Sequence, residues 1–291
     1  MSATAPFDRT LIDRRRLRAL ERGTKGADFL LSHVAAELAE RLSLVQRRFA
    51  IGVDLAGHTG ALGALVRAGG QVEHLVRIER DAGLLGADEE AVVADEEALP
   101  LGAESVDLVL SLLSLHLTND TPGVLVQIRR ALRGDGLFLA ALLGGETLNE
   151  LRASLLQAEA EIAGGASPRV APFADLREAG ALLQRAGFAL PVIDQDRLTV
   201  RYGSMFELMR DLRDMGMGNM LHARSRVPAT RALFFRAAQI YAERFADADG
   251  RLRATFDVVY LSGWKPHESQ QKPLKPGSAT HSLAEALKPR S

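Results

Sequence analysis

The chain has 291 residues, of which 47% are hydrophobic and 25% are charged, as in an ordinary globular protein. Its 36 Lys and Arg residues nearly balance its 37 Asp and Glu residues, so the net charge gives no reason to expect binding to nucleic acid or to an anionic membrane. The absence of cysteine excludes disulfides, thiolate nucleophiles and cysteine-ligated metals, and it suits a reducing compartment. The apolar runs are too short for a transmembrane helix, and we expect a cytoplasmic protein.

Two helices are predicted before the first strand. Residues 11–20 have a helical pattern rich in arginine, and Asp8 and Asp13 interrupt the charge that a targeting segment would need. This pattern favours a solvated amphipathic helix. Residues 27–42 repeat apolar side chains at helical spacing and are expected to pack on a core.

The middle of the chain alternates short strands with helices. Strands are predicted at residues 50–55, 72–78, 91–94, 106–113 and 137–143. The helix between the last two begins at Thr121 and Pro122, and a turn at 134–136 ends it. This alternation predicts a doubly wound parallel sheet with right-handed crossovers, and such sheets bind ligands at the carboxyl ends of their strands.

The rest of the chain is mostly helical. Helices are predicted at residues 146–162, 175–186, 205–220 and 229–245, and strands at 191–202 and 255–262. The two strands would complete a seven-stranded, mostly parallel sheet whose last strand is antiparallel, with residues 203–245 as a helical insertion or lid over its carboxyl edge. We expect one domain over residues 1–265, with its N-terminal helices at 1–45, and a weakly ordered tail over 266–291.

All methionines except Met1 lie in the predicted insertion. They are Met205, Met209, Met215, Met217 and Met220. Flexible thioethers suit a surface that adapts to a partner or closes over a ligand, while packing in the core is the open alternative.

The loop after the first strand is the first candidate site. Asp54, Gly57, His58 and Gly60 lie in a segment that resembles the first motif of class I S-adenosylmethionine-dependent methyltransferases, Asp-x-Gly-x-Gly-x-Gly. Ala56 and His58 replace two of the motif's glycines. A ligand-binding loop and an ordinary turn both remain open, because a lone glycine-rich loop is weak support.

The resemblance implies further contacts with S-adenosylmethionine. An acidic residue at the end of the second strand would hold the ribose, and here Arg77 is assigned to that position with Glu79 nearby. Residues 94–101 resemble the superfamily's third motif, in which Asp95 would accept a hydrogen bond from the adenine amino group; a turn cap is its alternative. The full predicted cofactor set is Asp54, Gly57, His58, Gly60, Arg77, Asp95, Glu96, Ser114 and Leu115.

Three residues after the fourth and fifth strands are candidate catalytic groups. Methyl transfer requires alignment of the nucleophile and removal of a proton, which His116, Asp120 or Glu146 could perform. A hydrogen-bonded loop histidine remains open for His116. Glu146 and Glu150 could hold a guanidinium, and simple surface solvation remains open for both. Hydroxylation would instead require oxygen activation, and no metal-ligand pattern is visible.

Several strings, in order along the chain, resemble the mitochondrial complex I assembly factor 5 family and its proteobacterial relatives. They are SLHLTND (114–120), GGETLNELR (144–152), SMFELMRDLRDMG (204–216), GWKPHESQ (263–270) and GSAT (277–280). The resemblance implies the methyltransferase fold, S-adenosylmethionine as cofactor, and modification, by hydroxylation, of an arginine on a quinone-module subunit of respiratory complex I. Leu117 departs from the family, which usually has Trp there.

Three functions remain open. The first is the arginine-modifying enzyme that assists complex I assembly, the second a small-molecule or acyl-carrier methyltransferase, and the third a non-catalytic assembly chaperone. The strings outside the core fold favour the first over the second, whereas the altered glycine loop favours the third. The predicted partner is a complex I subunit, with peripheral membrane association through that complex; the oligomeric state is open.

Overall fold

A computed structural model describes residues 5–86, 90–173 and 176–271. Its strands are β1 (Phe49–Leu55), β2 (Val72–Glu79), β3 (Ala91–Val93), β4 (Val106–Leu112), β5 (Leu132–Leu143), β6 (Ala189–Tyr202) and β7 (Leu252–Trp264). Its α-helices are α1 (Arg9–Arg22), α2 (Phe29–Ser43), α3 (Ala61–Gly69), α4 (Thr121–Ala131), α5 (Asn149–Ala163), α6 (Leu176–Arg185), α7 (Met205–Asp214) and α8 (Arg231–Phe245).

The strands form a seven-stranded sheet in the order β3-β2-β1-β4-β5-β7-β6. Strands β1 to β5 pair in parallel, and β7 is antiparallel to both of its neighbours. The prediction of a mostly parallel sheet with an antiparallel last strand is therefore confirmed. Because the winding direction reverses between β1 and β4, their carboxyl ends flank a crevice of the kind that binds ligands in such sheets.

The sheet is buried on both faces. Along β4, Leu108 and Leu110 belong to the apolar cluster on one face, and Val109 belongs to the cluster on the other. Helix α2 contributes Leu30, Val34 and Leu38 to the first cluster. The near-continuous apolar runs of the central strands follow from this double burial.

The turn predicted at residues 134–136 is wrong, because this segment belongs to β5. Asp135 has a φ of 62°, and the pairing with β4 shifts register between Val106 and Leu108. The segment stays in the sheet because Asp135 N–H donates to the carbonyl of Lys265, whose own N–H donates to Gly136.

The helix predicted at residues 205–220 is too long. Helix α7 ends at Asp214, and Gly216 follows with a φ of 76°, the left-handed conformation that commonly stops a helix. Residues 215–220 then run as a loop at the carboxyl edge of the sheet, where they line a cavity with Leu112 and Leu143. Part of the predicted insertion therefore lies at this edge, whereas α8 packs against α5 in the core.

The first helix is amphipathic, as expected, but the face that it buries contains two arginines. Helix α1 buries one stripe, formed by Arg9, Ile12, Arg16 and Ala19. Its N-terminal end is fixed by a backbone bridge between Phe7 and Leu221. Charged side chains are seldom buried without partners, so arginines are expected at the surface. Here Arg9 is paired with Asp95, Glu96 and Glu97, and Arg16 contacts the carbonyl of Leu113.

Residues 272–291, which contain most of the predicted weakly ordered tail, lie outside the described part of the chain. Within residues 5–86, 90–173 and 176–271, no helix combines the length and apolar character needed to cross a membrane.

Candidate cofactor cleft and adjoining cavity

The loop between β1 and α3 keeps left-handed backbone at the positions where two glycines of the motif are replaced. Ala56 and His58 have φ values of 55° and 58°, and Gly60 has a φ of 75°. Left-handed backbone is favourable for glycine and costs other residues about 1–2 kcal/mol. Asp54 lies buried beneath this loop, and a Cβ on Gly57 would stand 2.6 Å from its Oδ1. The turn is therefore retained at a cost in backbone strain.

The assignment of Arg77 to the end of β2 is wrong. The strand continues to Glu79, because the backbone of Glu79 pairs with β3. The Arg77 side chain turns inward instead, where its guanidinium donates to the carbonyls of Leu84, Leu85 and His58. It also lies 3.8 Å (Nε to Oδ2) from Asp54. The buried Arg77 side chain thus stabilises the loop between β1 and α3.

Glu79 is the acidic residue that ends β2. It is 1% exposed, and its Oε1 accepts a 2.7 Å hydrogen bond from the His58 backbone N–H. Burial raises the pKa of Glu79 to about 7, against the opposing effects of Arg16, the His58 N–H and Arg77. Glu79 therefore occupies the position at which the superfamily resemblance expects an acidic residue that holds the ribose.

The acidic segment after β3 is held by Arg9 of α1. The Arg9 guanidinium lies 2.7 Å from Asp95, 2.6 Å from Glu96 and 2.8 Å from Glu97. Burial alone would raise the pKa of Asp95, but the hydrogen bond from the Glu97 N–H and the contact with Arg9 lower it overall. Arg80 also lies 3.6 Å from Asp95. The carboxylate expected to meet the adenine is already paired.

The cleft between these acidic groups is nearly filled. A cavity of about 10 Å3 remains there, lined by Glu79, Glu96 and Ser114 on the side of the sheet and by Ile12, Asp13 and Arg16 on the side of α1. The volume is about that of one water molecule. The buried Oε2 of Glu96 has no hydrogen-bond partner. The polar groups therefore suit S-adenosylmethionine, but the space does not admit an adenosyl group while α1 is in this position.

A much larger cavity, of about 550 Å3, adjoins the cleft. Its floor is formed by the ends of β4 and β5, including Leu113 and Leu143, and α1, α5, α7 and the loop at 215–220 provide its walls. Arg16 lines both cavities. Of the five methionines in the insertion, Met205 is buried in the core, and the others line this cavity.

Two histidines line the large cavity. The His116 Nδ1 accepts the Leu143 N–H at 3.3 Å, so the proton of the neutral ring lies on Nε2. Burial, with Arg16 nearby, lowers the pKa of His116 to about 3. His116 therefore offers a hydrogen-bond donor, and it could accept a proton on Nε2 only after a tautomer change that breaks the bond from Leu143. His58 is also neutral, because burial and Arg16 lower its pKa to about 3.

The other candidate catalytic residues lie apart from both cavities. Asp120 is exposed and caps α4 by accepting the Gly123 N–H at 2.9 Å. Glu146 is exposed, and its Oε2 accepts a 2.9 Å hydrogen bond from Asn149. Glu150, the second candidate for holding a guanidinium, is buried and accepts hydrogen bonds from the backbone N–H and hydroxyl of Thr255, which hold α5 against β7.

The structure thus brings together only part of the predicted site. Glu96 and Ser114 line the small cavity, and His58 and His116 line the large one, whereas the Leu115 side chain packs in the core. Sequence reasoning missed Arg16, although Arg9, Ile12, Arg16 and Ala19 recur at spacings of three and four residues, the pattern of one buried helical stripe. No metal-binding group of three His, Cys, Asp or Glu side chains occurs within the described residues.

Comparisons with known proteins agree with this fold. The family model described as a methyltransferase domain matches residues 54–140. In solved structures, the YcgJ protein from Bacillus subtilis has a TM-score of 0.55 at 13% identity, over 81% of this chain and 99% of its own. Together with the family match and the sheet order, that likeness supports the Rossmann-like class I methyltransferase fold.

Two curated relatives extend the similarity across most of the chain. The malonyl-[acyl-carrier protein] O-methyltransferase of Laribacter hongkongensis is 37% identical over 86% of this chain and 88% of its own length. The mitochondrial arginine-hydroxylase NDUFAF5 of Danio rerio is 40% identical over 90% of this chain and 83% of its own length. With this identity over nearly the whole of both proteins, the chain belongs to the NDUFAF5 arginine-hydroxylase family.

Proposed function

We propose that this protein binds S-adenosylmethionine and modifies an arginine of a quinone-module subunit of respiratory complex I, as an enzyme of the bacterial cytoplasm. The observation that carries the proposal is the extent of the similarity. The methyltransferase domain model matches residues 54–140, whereas the Danio rerio arginine hydroxylase aligns over 268 residues. The similarity must therefore include much of the region outside the cofactor-binding half, where an acceptor would be recognised.

The cofactor part of the proposal is supported by the acidic groups at the cleft. Glu79 ends β2, and Asp95 and Glu96 follow β3, as the superfamily resemblance requires for contacts with ribose and adenine. Binding would require Ile12, Asp13 and Arg16 to withdraw, because they border the small cavity in this cleft. For methyl transfer, the cofactor would supply an electrophilic methyl group, and the protein would supply position and exclusion of water. Hydroxylation would in addition require an oxidant that supplies the oxygen atom, such as molecular oxygen with two electrons from a reductant.

A calorimetric titration with S-adenosylmethionine tests this part. Glu79→Gln should weaken binding by about tenfold or more, since a hydrogen bond to a charged group is lost. Glu73→Gln is the matched control, because Glu73 is exposed on the same strand. If the wild-type protein does not bind the cofactor at all, the non-catalytic chaperone becomes the better account.

Mass spectrometry of complex I tests the substrate. The target arginine should carry its modification in the wild type and lose it in a strain without this protein, with complex I assembly impaired. A mass gain of one oxygen atom indicates hydroxylation, and a gain of one CH2 group indicates methylation. Normal complex I assembly in the deletion strain, with the arginine unmodified in the wild type as well, would exclude the proposal.

Methyl transfer to a carboxylate is the second candidate. It is favoured by the large cavity, where every charged side chain among the described lining residues is an arginine. An arginine side chain of a substrate would be repelled there, whereas a carboxylate would be attracted. Incubation with malonyl-acyl carrier protein and labelled S-adenosylmethionine tests this candidate, which fails if no label reaches the acyl group.

A further inference from the structure

The large cavity has one cationic wall. Arg15, Arg18 and Arg22 recur along α1 at spacings of three and four residues, and all three line the cavity. Arg169 and Arg213 also line it. A row of like charges on one wall is costly to hold together without counter-charges.

Only some of these arginines have partners. Arg22 lies 3.4 Å from Asp214, and Arg169 lies 2.7 Å from Glu159. Four lining arginines form no ion pair with any described residue. They are Arg15, Arg16, Arg18 and Arg213.

Arg15 and Arg16 are the enclosed members of this group. The Nη1 of Arg15 is buried without a hydrogen-bond partner, and it lies against Gly218, where a Cβ would stand 2.2 Å away. Asp8, which attracts Arg15 electrostatically, is already paired with Arg224 at 2.8 Å. Arg16 is 9% exposed, and its Nη2 has only a 3.4 Å contact with the carbonyl of Leu113. Arg16 already interacts electrostatically with Asp13 and Glu79 at the small cavity. The enclosed Arg15 has no paired anion, and because burial of a cation without an anion is unfavourable, a bound anion would stabilise this arrangement.

The remaining walls are apolar. Leu112 and Leu143 lie at the floor, and Leu151, Met209 and Met217 lie along the sides. A cavity of about 550 Å3 is in the size range of sites that enclose a small organic ligand. A small hydrophilic anion would leave these walls uncovered, whereas an alkyl chain would cover them and gain the free energy of removing its own apolar surface from water. Methionine side chains adapt readily to such a chain.

We propose that the large cavity binds an anionic amphiphile, with its carboxylate or phosphate head group at Arg15 and Arg16 and its alkyl chain against the apolar walls. Such a ligand needs neither the cofactor nor the complex I subunit. Its binding can therefore be tested separately from the proposed function.

The test is calorimetric titration of the full chain with four ligands. Decanoate should bind, and decyl phosphate, titrated in parallel, distinguishes the two head groups. Decanol lacks the anionic head and malonate lacks the chain, so both should bind at least about tenfold more weakly, since each loses one half of the interaction. Decylguanidinium, which carries the opposite charge on the same chain, should not bind.

Substitutions locate the ligand in the cavity. Arg15→Gln and Arg16→Gln should each weaken decanoate binding by about tenfold and leave decanol unaffected. Arg14→Gln is the matched control, because Arg14 is exposed on the same helix. Met209→Glu places a carboxylate among the arginines and should abolish decanoate binding, whereas Met209→Gln should retain it. Melting curves confirm that each variant is folded.

The proposal is overturned if decanoate and decyl phosphate both fail to bind, or if decylguanidinium or decanol binds as tightly as they do. Equal binding of malonate would indicate a simple anion site without a role for the apolar walls, which also contradicts it. Binding of decanoate that Arg15→Gln, Arg16→Gln and Met209→Glu all leave unchanged would place the amphiphile elsewhere on the protein.

Discussion

Arg9 Nη1 lies 2.7 Å from Asp95 Oδ1, so the first helix is fastened to the edge of the sheet where the cofactor is expected. The same guanidinium contacts Glu96 and Glu97. Arg9 and Glu96 are nearly fully buried, whereas Asp95 keeps a 40% exposed side chain. This contact makes α1 part of the candidate site, so one substitution at Arg9 should affect both the stability of the fold and the binding of the cofactor.

Removal of Arg9 should destabilise the fold. Arg9→Ala would leave Glu96 buried without its counter-charge, and we expect the free energy of unfolding to fall by about 2 kcal/mol, less than for a fully buried pair because Asp95 is partly exposed. Urea denaturation measures the change. Arg14→Ala, on the exposed face of α1, should change stability by less than about 0.5 kcal/mol; an equal loss in both variants would contradict the role of Arg9.

The same contact should oppose the cofactor. Ile12 and Arg16 border the small cavity, so release of α1 would enlarge the cleft. We therefore expect Arg9→Ala to bind S-adenosylmethionine more tightly than the wild type, with the Asp95 and Glu96 carboxylates available to the ligand. Calorimetry measures the affinity. Weaker binding in Arg9→Ala would mean that α1 contributes to the cofactor site and does not exclude the ligand from it.

His58 should also hinder the cofactor. It combines a φ of 58° with a ring that is 4% exposed, in the loop that the methionine end of the cofactor would contact. His58→Gly relieves the left-handed strain and clears the ring, so we expect tighter binding of S-adenosylmethionine. Ala56→Gly is the control, because Ala56 has a φ of 55° but carries only a methyl group. If the two substitutions strengthened binding equally, the gain in affinity would come from relief of backbone strain alone, and the His58 ring would not hinder the cofactor.

Acid should destabilise the protein through the same histidine. Burial and Arg16 lower the pKa of His58 from 6.5 to about 3, so between these values the unfolded chain binds a proton that the folded protein excludes. Stability is therefore lost as the pH falls. Compared with His58→Asn, which tolerates left-handed backbone, the wild type should lose about 2 kcal/mol more between pH 7 and pH 5. Urea midpoints measured at both pH values test this, and parallel pH dependence in the two proteins would contradict it.

The sheet could be predicted from the sequence because the signals for it are local. Each central strand, such as β4, is a short apolar run that is buried on both faces of the sheet. A continuous apolar run of this length predicts such a strand directly. The ribose position at the end of β2 was assigned two residues too early, to Arg77, because the end of the strand depends on pairing: Glu79 is held in the strand by β3, and the sequence of β2 does not show this contact.

The position of α1 could not be predicted because it depends on distant charges. Two of the four residues in its buried stripe are arginines, which residue-type preferences place at the surface. Arg9 is buried only because Asp95, Glu96 and Glu97 meet it from the far side of the cleft. The pocket residue Arg16 was missed because the same residue-type preference places it at the surface, and the closure of the cofactor cleft was missed with it.

If this protein binds a complex I subunit as proposed, we expect the contact to include Glu146. This residue is exposed just before α5, within the GGETLNELR string, and its carboxylate is held by Asn149. If it receives the guanidinium of the subunit, Glu146→Lys should abolish capture of the subunit, because attraction becomes repulsion. Binding of S-adenosylmethionine should persist, since Glu146 borders neither cavity. Pull-down assays with Glu40→Lys, an equal charge change at an exposed residue of α2, provide the control, and equal capture by both variants would remove Glu146 from the interface.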